Sequence, residues 1–110
     1  AEVAALFADA GVVVICSLIS PMRADRDKAR AVHAGSELPF TEVFVDTPLA
    51  ECEARDPKGL YAKARAGEIP EFTGVSAPYE PPLTPDLHIR PEDGTAAEVA
   101  QRIVSTILGV

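Results

Sequence analysis

Apolar residues at Val3, Leu6, Phe7 and Ala10 recur at helical spacing, and Gly11 follows where a helix-ending glycine belongs. The pattern then changes. Val12-Val13-Val14-Ile15-Cys16 is a continuous apolar run, mostly β-branched, which predicts a strand buried on both faces of a parallel sheet. Arg23 to His33, rich in alanine, arginine and aspartate, predicts a surface helix, and Gly35 to Pro39 a loop. Phe40 to Asp46, built around Val43-Phe44-Val45, predicts a second buried strand. Thr47 and Pro48 open another helix, threonine as N-cap and proline at the first helical position. A further helix is expected from about Lys58 to Ala66, started by Pro57 and stopped by Gly67.

Six of the ten prolines lie between Pro70 and Pro91, so that stretch reads as an extended, irregular connection. Asp86 to Arg90, with Leu87 and Ile89, predicts a last short strand. Thr95 caps a final helix with Val99, Ile103, Val104 and Ile107 on one face. Strands alternating with helices predict an α/β fold with a parallel sheet wrapped by helices. About three strands is few for such a fold. The 110 residues give room for one domain. The expectation is therefore a single, partial domain over residues 1–110, its amino-terminal part lying outside this sequence.

The net charge of −7 argues against a nucleic-acid binder and against a polybasic membrane-surface protein. A hydrophobic fraction of 47% excludes a disordered acidic tail. Glu2 and Asp9 are out of place in a signal peptide, and the Val12–Cys16 run is far too short to span a membrane. Two cysteines, Cys16 and Cys52, are too few for a disulfide framework. A cytoplasmic, reducing setting is the expectation.

The placement of charge says more than its total. Eight of the ten basic residues fall in two windows: Arg23, Arg26, Lys28 and Arg30, then Arg55, Lys58, Lys63 and Arg65. The second window contains Asp56 as its one acidic residue. Such a patch suits a phosphate-bearing small molecule. The competing reading is a solvated helix face with local ion pairs, Arg26 and Arg30 pairing with Asp25 or Asp27. Ligands of parallel sheets bind beyond the carboxyl ends of strands, which points to Ser17–Arg23 and Asp46–Pro48. His33 and His88 have no partners at metal-ligand spacing and read as ordinary surface or core histidines; no metal-holding residue is expected. Cys52 reads as a packing residue in a helix. No Cys–His–Asp arrangement supports Cys16 as a nucleophile. Phe72-Thr73-Gly74 in a polar loop is either a local plug or a stacking face for a base.

Several long segments carry a specific resemblance. They are Leu6–Gly11, Ser17–Arg23, Phe44–Leu49, Cys52–Tyr61, Lys63–Ile69, Phe72–Gly74 and Ala77–Glu80. Together they resemble the adenylylsulfate kinase (APS kinase) family over essentially the whole chain. The resemblance implies a P-loop kinase-like, three-layer α/β fold with a parallel sheet. It implies transfer of the ATP γ-phosphate to the 3′-hydroxyl of adenosine 5′-phosphosulfate (APS), with Mg²⁺, to form 3′-phosphoadenosine 5′-phosphosulfate (PAPS) in sulfate assimilation. Residues 55–80 correspond to a lid and substrate loop. Ile19 and Ser20 match an APS-binding turn, Ser20 being the catalytic candidate. Lys58, Glu71 and Phe72 match APS-binding positions, Phe72 stacking on adenine. Arg55 and Gly94 match positions near the ATP adenine. A homodimer, and fusion to or complex with sulfate adenylyltransferase, are also implied.

The sequence departs from the family at three motifs. A Gly-x-x-x-x-Gly-Lys-[Ser/Thr] phosphate loop, an Asp-Gly-Asp-Asn segment and an Arg-Glu-Asn-Ile stretch do not occur in these residues. The phosphate cradle and the Mg²⁺ ligands are therefore expected in the missing amino-terminal part, and the 110 residues alone are expected to be inactive. The alternative is a non-catalytic nucleotide-binding fragment that keeps the APS half-site. Met22 and Pro70-Glu71 are smaller departures. Direct in-line transfer is the favoured chemistry, without a phosphoserine at Ser20.

Overall fold

A computed structural model describes all 110 residues. It divides into two compact units, residues 1–40 and 41–110.

The first unit holds α1 (Glu2–Asp9) and α2 (Arg23–Gly35). The two helices pack on each other, and Ala5 of α1 is buried. Val3, Leu6 and Phe7 stay more than half exposed, so the apolar stripe of α1 is not its packed face. Both helices end in the same paired-bond pattern. The Gly11 and Val12 amides donate to Ala8 and Phe7 carbonyls, and the Glu37 and Leu38 amides to those of Ala34 and His33. Of the two settings left open by the sequence, surface or core, His33 takes the core. It is buried, its Nδ1 lies 2.9 Å from the Ala29 carbonyl oxygen, and its ring meets Phe40 at 5.1 Å. Arg30 covers the Phe40 ring at 4.9 Å.

The expected strand at Val12–Cys16 does not form. The run is unpaired, and Ile15 is 85% exposed. Branched side chains favour an extended backbone, but a strand also needs a neighbour to exchange hydrogen bonds with. The first unit contains no strand to pair with it.

The second unit carries the parallel sheet. β1 (Val43–Val45) pairs with β2 (Leu87–Ile89) in the register Val43↔Leu87, Phe44↔His88, Val45↔Ile89. The sheet therefore has two strands, not three. Ile89 is buried. Bonds beyond the strands lengthen the ladder. The Asp46 amide donates to the Ile89 carbonyl at 2.7 Å, and the Asp86 and Leu87 amides donate to that of Glu42. Parallel strands need a long crossover, and here it contains α3 (Leu49–Arg55) and α4 (Leu60–Arg65).

Pro48, not Thr47, is the N-cap of α3, one residue later than expected, and no side chain caps it. The first helical amides, of Glu51 and Cys52, bond to the Pro48 carbonyl, which leaves Thr47 outside the helix. α4 starts later than expected because Asp56-Pro57-Lys58-Gly59 first makes a tight turn, the Gly59 amide bonding to the Asp56 carbonyl at 3.0 Å. The Asp56 carboxylate then caps α4, accepting from the Tyr61 and Ala62 amides at 3.0 and 3.1 Å. At its far end the Gly67 and Glu68 amides close the helix on Ala64 and Lys63.

A short 3₁₀ turn at Pro91–Asp93 leads to α5 (Ala96–Leu108). Thr95 caps α5 as expected. Its hydroxyl accepts from the Glu98 amide at 3.3 Å, and Glu98 Oε2 accepts from the Thr95 amide at 2.7 Å. Those bonds from Thr95 hold the Glu98 carboxyl below the usual carboxylate range. The cap is therefore intact above that range and is lost as pH falls through the lowered value. No helix is long and apolar enough to cross a membrane.

The doubly bonded Asp56 gives a direct test of this local logic. Asp56→Ala should cost about 1–2 kcal/mol, as for other side-chain N-caps, and Asp56→Asn less. Urea unfolding followed by circular dichroism measures both; equal loss in the two variants would contradict the capping role.

Candidate functional site

In the second unit Lys58 and Phe72 flank α4 in different ways, and Tyr61 of that helix meets the Phe72 ring. The Asp56–Gly59 turn carries Lys58, which is exposed, directly before α4. Tyr61, in the first turn of α4, meets Phe72 edge to face, with ring centroids 5.0 Å apart at 72°. Burial pushes the Tyr61 hydroxyl up from its ordinary pKa, helped by the neighbouring Cys52 thiol and by Glu53 and Asp56. Cys52 is half-buried, and its Sγ lies 3.7 Å from the Thr47 carbonyl. It is thus the packing residue that the sequence suggested.

The Phe72 loop is closed by its own hydrogen bonds. The Phe72 carbonyl accepts from the Val75, Ser76 and Ala77 amides, and the Phe72 amide donates to Ser76 Oγ at 2.9 Å. Glu71, exposed, enters the loop with a φ of +52°. Gly74 sits at φ +86°, and a Cβ there would lie 3.1 Å from Leu49 Cδ1. Only glycine meets both conditions without strain. The result is a half-buried Phe72 ring braced by Tyr61 and held on a rigid loop.

The basic window is less bare than its sequence suggests. Arg55 pairs with Glu51, one helical turn earlier, and Arg65 pairs with Glu53 across to α3. Helix spacing and tertiary packing bring in these acids from outside the window. Asp56 is committed to the α4 cap. Arg55, placed by the resemblance near an adenine, is exposed and tied to Glu51. Gly94 stands apart, just before the α5 cap, with φ +131°. A Cβ at Gly94 would meet Glu98 Oε2 at 2.7 Å, so the capping carboxylate needs glycine there.

Ile19 and Ser20 belong to the first unit. Ile19 is 68% exposed. Ser20 is half-buried, with a φ of +41° that a serine ahead of a proline adopts only under constraint. Arg26 of α2 supplies one, its Nη1 donating to the Ser20 carbonyl at 2.5 Å. The turn Ser20-Pro21-Met22 is thereby tied to the helix that follows.

One group was missed by sequence reasoning. Asp46, His88 and Arg90 form a hydrogen-bonded chain at the carboxyl end of the sheet. His88 Nε2 lies 2.8 Å from Asp46 Oδ2, and Arg90 Nη2 lies 3.2 Å from His88 Nδ1. His88 is therefore not an ordinary lone histidine. Arg90 is only two residues on, but Asp46 lies 42 positions away and is brought to His88 by the strand pairing, which spacing along one chain does not reveal.

The adenylylsulphate kinase family profile matches residues 1–90. The chain belongs to the adenylylsulphate kinase family. It is 53% identical to the adenylyl-sulfate kinase of Saccharomyces cerevisiae, covering 97% of this chain and 53% of that enzyme. It is 57% identical to the bifunctional enzyme CysN/CysC of Xylella fastidiosa, covering all of this chain and 17% of that protein. Among solved structures, the Mycobacterium tuberculosis APS kinase CysC in complex with AMPPNP and APS aligns with a TM-score of 0.92 at 52% identity. That match covers 96% of this chain and 61% of the solved one. The chain thus spans about half the length of the yeast relative. With the family established, the α/β fold with a parallel sheet is the P-loop kinase-like fold that the resemblance implied.

Proposed function

We propose that this chain is part of a phosphotransferase that moves the ATP γ-phosphate to the 3′-hydroxyl of APS, giving PAPS and ADP. The family match over residues 1–90 carries the reading. In the reaction the APS 3′-oxygen bonds to the γ-phosphorus, the bond to the β,γ-bridging oxygen breaks, and the hydroxyl proton is released. Such chemistry needs positioning and charge neutralisation more than covalent help. Residues 55–80 act as a lid. Lys58 on its rigid turn supplies positive charge, and Phe72 on its braced loop supplies a stacking face for the APS adenine, with Glu71 beside it. Ile19 and Ser20 hold the sulfate–phosphate end of APS. Arg55 and Gly94 border the ATP adenine.

The chain's own donors do not fit a protein-held Mg²⁺, since no three His, Cys, Asp or Glu side chains converge. Two free thiols suit a reducing cytoplasm. A homodimer, and fusion to a sulfate adenylyltransferase, complete the proposal; relatives named as bifunctional enzymes support the fusion.

The alternative reading is a non-catalytic nucleotide-binding fragment that keeps the APS half-site. Incubation with ATP and APS, followed by PAPS detection and by APS titration, separates the two. PAPS formation supports the kinase. APS binding without PAPS supports the fragment reading, and absence of both overturns each. Ser20→Ala should weaken APS binding about tenfold, the effect of one hydrogen bond to a charged group. A phosphoserine trapped at Ser20 would contradict direct transfer.

A further inference from the structure

The two helices of the first unit leave a groove of about 500 Å³ between them, and every residue that lines it belongs to that unit. α1 contributes Glu2, Ala5, Leu6 and Asp9, which share one face because helical positions three, four and seven apart lie above one another. Val32 and Gly35 of α2 stand opposite. The floor is aliphatic. Ala5 is buried and Val32 half-buried, while Leu6 is largely exposed above them. Glu2 and Asp9 mark the two ends of the α1 wall, about 10 Å apart along the helix axis at 1.5 Å per residue. Both are exposed, and neither pairs with a basic side chain. No basic side chain lines the groove. It therefore joins an uncovered apolar floor to a carboxylate at each end of one wall.

We propose that this groove docks an amphipathic helix of a protein partner, with basic residues seven positions apart facing Glu2 and Asp9 and aliphatic residues between them on the Leu6–Val32 floor. A helix laid along α1 has the same rise per residue, so such a pair meets both carboxylates at once. Its third and fourth positions between the pair face the same way and cover Leu6. The chain's own helices do not match, which excludes a second copy as the occupant. Arg23 and Arg30 of α2 are seven apart, but Arg26 and Asp27 stand between them, and Arg30 is engaged with Phe40. Lys58 and Arg65 have the spacing too, but Lys58 lies outside α4 and Arg65 is paired with Glu53. Neither Glu2, Leu6, Asp9 nor Val32 has a part in the kinase reading, so the docking stands or falls separately from it.

Fluorescence anisotropy of the full chain with a labelled, alanine-based peptide of about four helical turns tests this. The peptide carries lysines seven positions apart and leucines at the third and fourth positions between them. A control peptide has the same composition with the lysines four apart. At low salt the parent should bind the first peptide about threefold more tightly than the control, the effect of one exposed ion pair. The double variant Glu2→Gln, Asp9→Asn should lose that preference and bind about tenfold more weakly, and high salt should weaken the parent similarly. A Cβ at Gly35 meets nothing within 4 Å, so Gly35→Leu fills the groove without strain and should abolish binding. Circular dichroism confirms that each variant keeps its helices; should Gly35→Leu unfold, the double variant still decides. A parent that binds neither peptide, a double variant that binds like the parent, or a folded Gly35→Leu that still binds overturns the proposal. Sedimentation of the parent alone should show no self-association through the groove. A dimer that Gly35→Leu dissolves would assign the groove to a second copy and overturn the proposed partner.

Discussion

Phe72→Ala is expected to weaken APS binding ten- to a hundredfold. Stacking of a base on an aromatic ring contributes about 1–3 kcal/mol, and each 1.4 kcal/mol is a factor of ten. The ring is ready for that role. It is half-buried, braced edge to face by Tyr61, and its backbone is locked by three amides on one carbonyl. Ordering cost is therefore already met before substrate arrives. Phe72→Tyr should keep most of the affinity. Loss of the Tyr61 contact also destabilises the loop, so a thermal melt without substrate must accompany the APS titration. Equal loss of affinity in Phe72→Tyr and Phe72→Ala would mean that the loop, not the ring face, matters.

Lys58→Met should lower the rate of PAPS formation by about 10²–10³, the scale for removing one positioned charge from a developing anionic transition state. Lys58 sits at the tip of a turn closed by Asp56 and Gly59, with no ion pair joining it to a carboxylate. Its neighbours Arg55 and Arg65 are already matched to Glu51 and Glu53. The lysine therefore carries more net field at the substrate than the raw count of basic residues suggests. Lys58→Arg should recover part of the rate, since the charge remains while the compact ammonium does not. Single-turnover kinetics measures the effect, and an unchanged rate in Lys58→Met would remove the residue from the proposed lid chemistry.

The fold was legible wherever a local signal was sufficient. Thr95, Gly11 and Gly67 marked helix ends from sequence alone, and Val43–Val45 and Leu87–Ile89 formed strands inside the expected segments, although β1 is shorter than expected and its Val45 is exposed rather than buried. Val12–Cys16 failed because propensity is local and pairing is not. The site divided in the same way. Lys58 and Phe72 were singled out through motif resemblance, and the structure adds the Tyr61 ring against Phe72. Asp46 was marked as a strand-end position, but its contact with His88 was not legible, because register decides which residues of two distant strands come together. The charge windows misled for a related reason, since the neutralising Glu51 and Glu53 lie just outside the window that was counted.

The unpaired Val12–Cys16 run has a consequence for handling the protein. Five successive apolar residues, without charge, proline or glycine, stand exposed with no strand beside them. That is the composition from which chains stack edge to edge into cross-β fibrils. The net charge of −7 opposes such stacking at neutral pH and low salt. Salt screening or acidification toward neutrality removes that opposition. Solution conditions, more than the strength of the folded core, will set the shelf life of this chain.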